Sequence, residues 1–175
     1  MTARRTRRLA ALLMTLPALA TLPGCGLHPL YAGGTHGPVA KTLAAIEVGP
    51  IGGQSGWLMR NAIVDRLGAA GDDTPRYRLI VELNDQIVGL GIRSDNTVTR
   101  ERRTLRARFR LVTADAKGTT LLDASAGSDA GIDVVSSNYA TVAAEQTALE
   151  NLTDIVADQI VARVAVYARR AAQAH

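Results

Sequence analysis

From Leu105 to Leu111 apolar residues and arginines alternate one for one. Leu105, Ala107, Phe109 and Leu111 share one parity, whereas Arg102, Arg106, Arg108 and Arg110 share the other. A period of two marks a strand with one face in a core and the other in water. Such a strand cannot lie in a sheet covered on both sides, because four guanidinium groups would then be buried. The pattern therefore restricts the fold to a sheet with one helix-covered face and one open, arginine-bearing face.

The flanking segments fit this plan. Tyr77, Leu79, Val81 and Leu83 alternate with Arg78, Glu82, Asn84 and Gln86, which predicts a half-buried strand. Leu43–Val48 reads as a short first strand ended by Gly49-Pro50. Between these two, Met59, Ile63 and Leu67 recur at spacing four with Trp57 and Val64 alongside. They predict an amphipathic helix from Trp57 to Ala70, capped by Ser55 and stopped by Gly71-Asp72-Asp73-Thr74-Pro75. A polar turn at Ser94-Asp95-Asn96 precedes the arginine strand, and one near Asp115–Gly118 leads to a fourth strand starting at Thr119–Leu122. Residues 124–138 are small and polar, and their outer half reads as loop. Asn138 is placed to cap a last helix from about Tyr139 to Arg170, striped by Leu149, Leu152, Val156, Ile160, Val164 and Tyr167. The expected fold is α+β, in the order β-α-β-β-β-α, with a four-stranded, mostly antiparallel sheet and two helices packed on one face.

The amino terminus carries a different signal. Arg4, Arg5, Arg7 and Arg8 precede an apolar stretch of 14 residues, Leu9–Leu22. That is shorter than the roughly 20 residues a bilayer-spanning helix needs, and it suits a cleavable signal. Leu22-Pro23-Gly24-Cys25 resembles a bacterial lipobox, although Pro23 departs from the usual small residue. The expected organisation is a signal peptide over residues 1–24, an acylated Cys25 with a flexible tether to residue 40, and a single periplasmic domain over 41–175. Each buried acyl CH₂ adds about 0.8 kcal/mol of membrane attachment, and Gly26 after the cysteine fits export to the outer membrane.

Charge excludes a large class of partners. The chain has 20 Lys and Arg against 16 Asp and Glu, but four of the arginines lie in residues 1–24, which have no acid. Residues 25–175 thus hold 16 of each, so bulk electrostatics give no case for nucleic acid. Converging catalytic groups are also missing. His28 and His36 lie in the tether, His175 ends the chain, and Cys25 is taken by lipid. No spacing suits a metal or a dinucleotide cofactor, so neither a cofactor nor an enzymatic activity is expected. The remaining candidates are Arg100, Arg102, Arg106, Arg108 and Arg110, within a run from Arg93 to Arg110 that has seven arginines and two acids. Guanidinium forks suit phosphate and carboxylate; an equally available reading is a solvated face that discourages strand pairing.

Several segments then add up to a resemblance. Gly24-Cys25-Gly26-Leu27-His28-Pro29-Leu30-Tyr31 looks like the start of the lipopolysaccharide-assembly lipoprotein family LptE, with Leu27 in place of an aromatic residue. Gly53-Gln54 with Leu58, Arg60, Asn61, Asp65 and Leu67 is similar to its first helix. Tyr77, Leu79 and Val81, then Thr99-Arg100, and finally Tyr139-Ala140 with Ala144-Glu145, resemble its later elements. The resemblance implies an outer-membrane lipoprotein that plugs and helps assemble an LptD-like β-barrel and assists insertion of lipopolysaccharide. The arginines as lipopolysaccharide contacts rest on chemistry alone. The competing reading is an auxiliary lipoprotein of an ABC-type lipid transport system.

Overall fold

The structure, a computed structural model, describes residues 37–68, 74–92 and 98–173. The signal, the lipobox, Arg93, Asp72-Asp73 and the turn at 94–96 lie outside the described residues. The elements are α1 (Pro38–Ala44), β1 (Ile46–Val48), α2 (Gly53–Leu67), β2 (Tyr77–Ile92), β3 (Val98–Thr113), β4 (Thr120–Asp133) and α3 (Asn138–Gln173). The sheet order is β1-β2-β3-β4; β1 runs parallel to β2, and the other neighbours are antiparallel. The expected α+β order therefore holds, with α1 added in front.

The alternation of β3 sets the layers. Leu105, Ala107, Phe109 and Leu111 are buried, as are Leu79 and Val81 on β2. The stripe of Met59, Ile63 and Leu67 from α2 and that of Leu149, Leu152, Val156, Ile160 and Val164 from α3 close over them. Trp57 and Val64 sit at the margin of α2, Trp57 64% exposed. Both long helices thus cover one sheet face, and the even-numbered arginines of β3 stand on the other.

Length decides how far the cover extends. The 36 residues of α3 rise about 54 Å at 1.5 Å each, matching the roughly 53 Å of a 16-residue strand such as β2 or β3. The 15 residues of α2 reach only about 22 Å. They lie parallel to α3, held by Arg66, whose Nε donates to Asp158 at 2.5 Å and whose Nη2 donates to Asp154 at 3.1 Å. The far half of β2 is left without α2 above it, and Ile87, on the helix side there, is 41% exposed.

Four boundaries differ from expectation. Residues 38–44 form a helix, with Pro38 at its start and Val39 and Leu43 buried, so the first strand begins at Ile46 and the folded region extends back into the segment read as tether. The helix α2 begins at Gly53 after Gly52, which places Ser55 inside it rather than at its cap. The segment read as loop continues β4 to Asp133. Ala124, Ala126, Gly127, Ser128 and Ala130 have little strand preference of their own; pairing with β3 and the close approach of α3 to small side chains make the strand. At the start of α3, Ser137 occupies the capping position in place of Asn138: its hydroxyl accepts the Ala140 N–H and its carbonyl the Thr141 N–H.

The β3–β4 turn forms where the sequence places it. The Asp115 carboxylate accepts the Thr113 hydroxyl at 2.7 Å and the Gly118 N–H at 3.0 Å, and Gly118 adopts φ 57°, a left-handed conformation that favours glycine. These bonds hold the Asp115 carboxyl below the usual carboxylate range, the Thr113 hydroxyl contributing most. At the outer edge of β4, Gly127 N–H donates to Gln159 Oε1 at 3.1 Å. Gln159 Nε2 donates back to the Gly127 carbonyl, and Arg163 donates to the Ser125 carbonyl. The long helix thereby grips the edge of the sheet it covers.

Phe109, fully buried at the centre of this contact, is the side chain whose loss costs most. Phe109→Ala is expected to destabilise the domain by about 3–5 kcal/mol, read as a lowered urea midpoint with an unchanged slope.

Candidate anion-binding face

The open face is built by the registers of β2, β3 and β4. Glu82 lies opposite Arg108 and Asn84 opposite Arg106 on one side; Asp133 lies opposite Arg100 and Asp123 opposite Arg110 on the other. The side chains resolve into ion pairs. Arg100 Nε is 3.2 Å from Asp133, Arg106 Nη2 3.1 Å from Asp129, and Arg110 Nη2 3.4 Å from Glu82. Arg108 holds Asp123 with two bonds, from Nε at 3.2 Å and Nη2 at 2.9 Å. Gly127 allows one of these contacts: a Cβ there would stand 2.4 Å from Arg106 Cδ, so its absence lets Arg106 lie across the strand toward Asp129.

The electrostatics follow from the pairing. Asp123 and Asp129 are held below the usual carboxylate range, Asp123 chiefly by its hydrogen bond from Arg108 and Asp129 chiefly by that of the Thr104 hydroxyl. Arg102 is exposed and has no ion-pair partner among the described residues; its charge is nonetheless felt at Asp129. Between Arg106 and Arg108 the face dips into a shallow depression of about 400 Å³, walled also by Glu82, Asn84 and Ser125. Arg78, paired with Glu47 at 3.3 Å, continues the ladder toward β1.

The five candidate arginines thus lie on one face, along one strand. Four of them are partnered, however, with Arg102 the exception, and the face is a ladder of alternating charge rather than a bare cationic patch. Exposed pairs of this kind contribute about 0–1 kcal/mol each, so a phosphate can displace a carboxylate at little cost.

Arg103 belongs elsewhere. Its odd parity, shared with Leu105, carries it to the helix side, where its side chain is 12% exposed. It grips Asp85 with two bonds, Nε at 2.9 Å and Nη2 at 2.6 Å, and donates from Nη1 to the Glu145 carbonyl on α3 at 2.8 Å. That parity was the signal in the sequence that separates it from its neighbours. Glu101, also on this side, has a buried Oε2 without a partner. Its carboxyl is pushed above the usual range by burial first, then by the charge of the nearby Glu145.

Among the described residues no His, Cys, Asp and Glu group could hold a metal, and no helix is long and apolar enough to cross a membrane. A second depression, of about 330 Å³, lies between β4 and α3, lined by Leu122, Ala124, Val166 and Tyr167 with Arg163 and Arg170.

With this geometry in hand, the comparison with known proteins is specific. The sequence model of the LptE family, described as lipopolysaccharide-assembly, matches residues 43–164. The chain belongs to the LptE family. This is a family of assembly lipoproteins rather than enzymes. A candidate lipoprotein from Caulobacter crescentus CB15 superposes with a TM-score of 0.62 at 25% identity, over 75% of this chain and 95% of that one. Rare lipoprotein B from Shewanella oneidensis gives 0.52 at 12% identity, over 74% and 98%. Lipoprotein B from Nitrosomonas europaea gives 0.54 at 14%, over 74% and 86%. The last two show the shared fold. A search of the curated proteins returns no match.

Two outcomes are expected from the charged groups. Arg103→Ala leaves Asp85 half-buried and unpaired and should cost roughly 3 kcal/mol, whereas Arg100→Ala, on the open face, should barely move the denaturation midpoint. Glu101 binds its proton more tightly in the folded chain than in the unfolded one, so it makes stability fall as pH rises from the ordinary carboxylate value through its raised folded value. Glu101→Gln should therefore raise the melting temperature at neutral pH and flatten its decline as pH rises above the ordinary carboxylate range, measured by thermal melts from acid to neutral pH.

Proposed function

We propose that this chain is an outer-membrane lipoprotein on the periplasmic face, anchored by lipid on Cys25, that sits in an LptD-like β-barrel as a plug. There it helps the barrel assemble and assists insertion of lipopolysaccharide into the outer leaflet. The observation that carries this reading is the open sheet face. A member of a lipopolysaccharide-assembly family presents five arginines in one line, uncovered by any described element.

The ladder suits a ligand that must be held and then passed on. The phosphate groups of lipopolysaccharide compete for forks that already have carboxylate partners, with Arg102 the first to engage because no described acid occupies it. Arg100, Arg106, Arg108 and Arg110 then exchange Asp133, Asp129, Asp123 and Glu82 for phosphate oxygens. Asp123 and Asp129 stay ionised well into acid and compete for the same forks, which keeps the affinity modest. A transfer component gains from that, since a tightly retained lipid could not move on.

Two measurements test the reading. Detergent-solubilised membranes should yield the lipoprotein, starting at an acylated Cys25, in stable complex with a large outer-membrane barrel. Recovery with inner-membrane transporter components instead would favour the auxiliary-lipoprotein reading. Replacing Arg106 and Arg108 together by Glu, or Arg102 by Glu, should weaken binding of purified lipopolysaccharide by about tenfold at low salt, with the difference shrinking as the Debye length falls toward about 3 Å at 1 M salt. Unchanged binding would return the face to a solvated surface.

A further inference from the structure

The two long edges of the sheet are treated differently. The edge of β4 is guarded at its middle, where the Gly127 N–H and carbonyl and the Ser125 carbonyl are taken by side chains of α3, and farther along Asp129 and Asp133 set charge beside it. The edge of β2 is guarded only at its start. Tyr77 N–H donates to the Ala45 carbonyl and Gly49 N–H donates to the Leu79 carbonyl, so odd-numbered residues of β2 turn their backbone groups away from β3. β1 ends there, pairing only with Tyr77, Arg78 and Leu79. The same parity turns the N–H and carbonyl groups of Val81, Leu83, Asp85, Ile87 and Gly89 outward, and no described residue partners them.

This bare stretch spans nine residues, 81–89, of which five turn outward, long enough to pair a whole added strand, with no bulge in its register against β3. It carries Ile87 and Val88, 41% and 54% exposed, on its two sides. The same end of the molecule exposes Val135, Tyr139 and Val142, beyond the end of β4 and on the first turns of α3. Five of the eight large exposed apolar residues among those described thus gather at one end. An uncovered strand edge marks a protein contact, and exposed apolar residues at the same end favour one there.

We infer that the outer edge of β2 from Val81 to Gly89 receives an added strand from the barrel partner. The inference rests on the reading above and locates its contact. The occupant's chemistry follows from the edge: a row of amide donors and acceptors takes an extended backbone, and the neighbouring Ile87 and Val88 favour apolar side chains on it. A closed barrel has no spare strand in its wall. The added segment is therefore an extended part of the partner outside that wall, with apolar residues where it passes Ile87 and Val88. A second copy of this chain fits less well. A stable interface buries about 1,200–2,000 Å², more than one short strand edge supplies, whereas a barrel enclosing this end also covers Val135, Tyr139 and Val142.

Hydrogen exchange on the lipoprotein, alone and in its complex with the barrel, tests this. The amides of Val81, Leu83, Asp85, Ile87 and Gly89 should exchange quickly in the isolated lipoprotein and slow by about tenfold or more in the complex. That of Gly127, bonded to Gln159, should be protected in both. Ile87→Pro removes only an outward N–H, at a position where an edge strand tolerates proline. It should leave the isolated domain folded, as judged by Phe109 and Gly127 amide protection, while lowering recovery of the barrel several-fold. If a barrel is recovered but the five amides exchange as in the free protein, the inference is overturned and the functional reading stands. If no barrel is recovered with the unaltered chain, both fall. The exchange result decides even if the proline variant does not fold.

Discussion

The alternation along β3 is the constraint on which the other elements depend. Because side chains switch faces at every residue, sliding β3 by one position against its neighbours would carry Arg102, Arg106, Arg108 and Arg110 under the helices and expel Leu105, Phe109 and Leu111. No arrangement of partners inside the core could compensate four such burials. The registers with β2 and β4 are therefore fixed by burial rather than by hydrogen bonding, which any register would satisfy about equally well. The core residues of α2 and α3 then have one surface on which to close, and the open face follows as the remainder.

Within this frame one ionic cluster lies on the covered side. Arg103, Asp85 and the Glu145 carbonyl tie β2, β3 and α3 together at the level of the first turn of α2, and the bidentate geometry satisfies charges that burial would otherwise penalise. The adjacent Glu101 and Glu145 carboxyls work against stability at neutral pH. The far half of the covered face is thus held by polar contacts and a single helix, the near half by three helices and an apolar core. This gradient along the long axis explains why exposed apolar residues and unpaired backbone collect at the same end.

The sequence made the layers legible because period and parity survive any tertiary context: the β2 and β3 faces, the stripes of α2 and α3, and the placement of the candidate arginines on one side all follow from counting residues. The outer half of β4 was not legible, since Ala, Gly and Ser carry no strand preference and acquire it only from pairing. Nor was α1, whose seven residues gain their stability from Val39 and Leu43 against α3 rather than from their own pattern. The carboxylate partners of the arginines were hidden for a different reason. Asp123, Asp129 and Asp133 look like loop acids until β4 is known to run beside β3, and the face then changes from a cationic patch to a compensated ladder.

The close match between the span of α3 and that of the β2–β3 hairpin has a consequence for how such domains can diverge. A residue lost from the middle of either strand inverts every side chain beyond it, so changes in length must come in pairs or be confined to the hairpin tip. Each such pair shifts the strand by about 6.6 Å, equivalent to roughly four residues of helix. Related chains should therefore grow or shrink at this end in coupled steps, two residues in each strand against about one turn of α3, while the end near β1 keeps its dimensions.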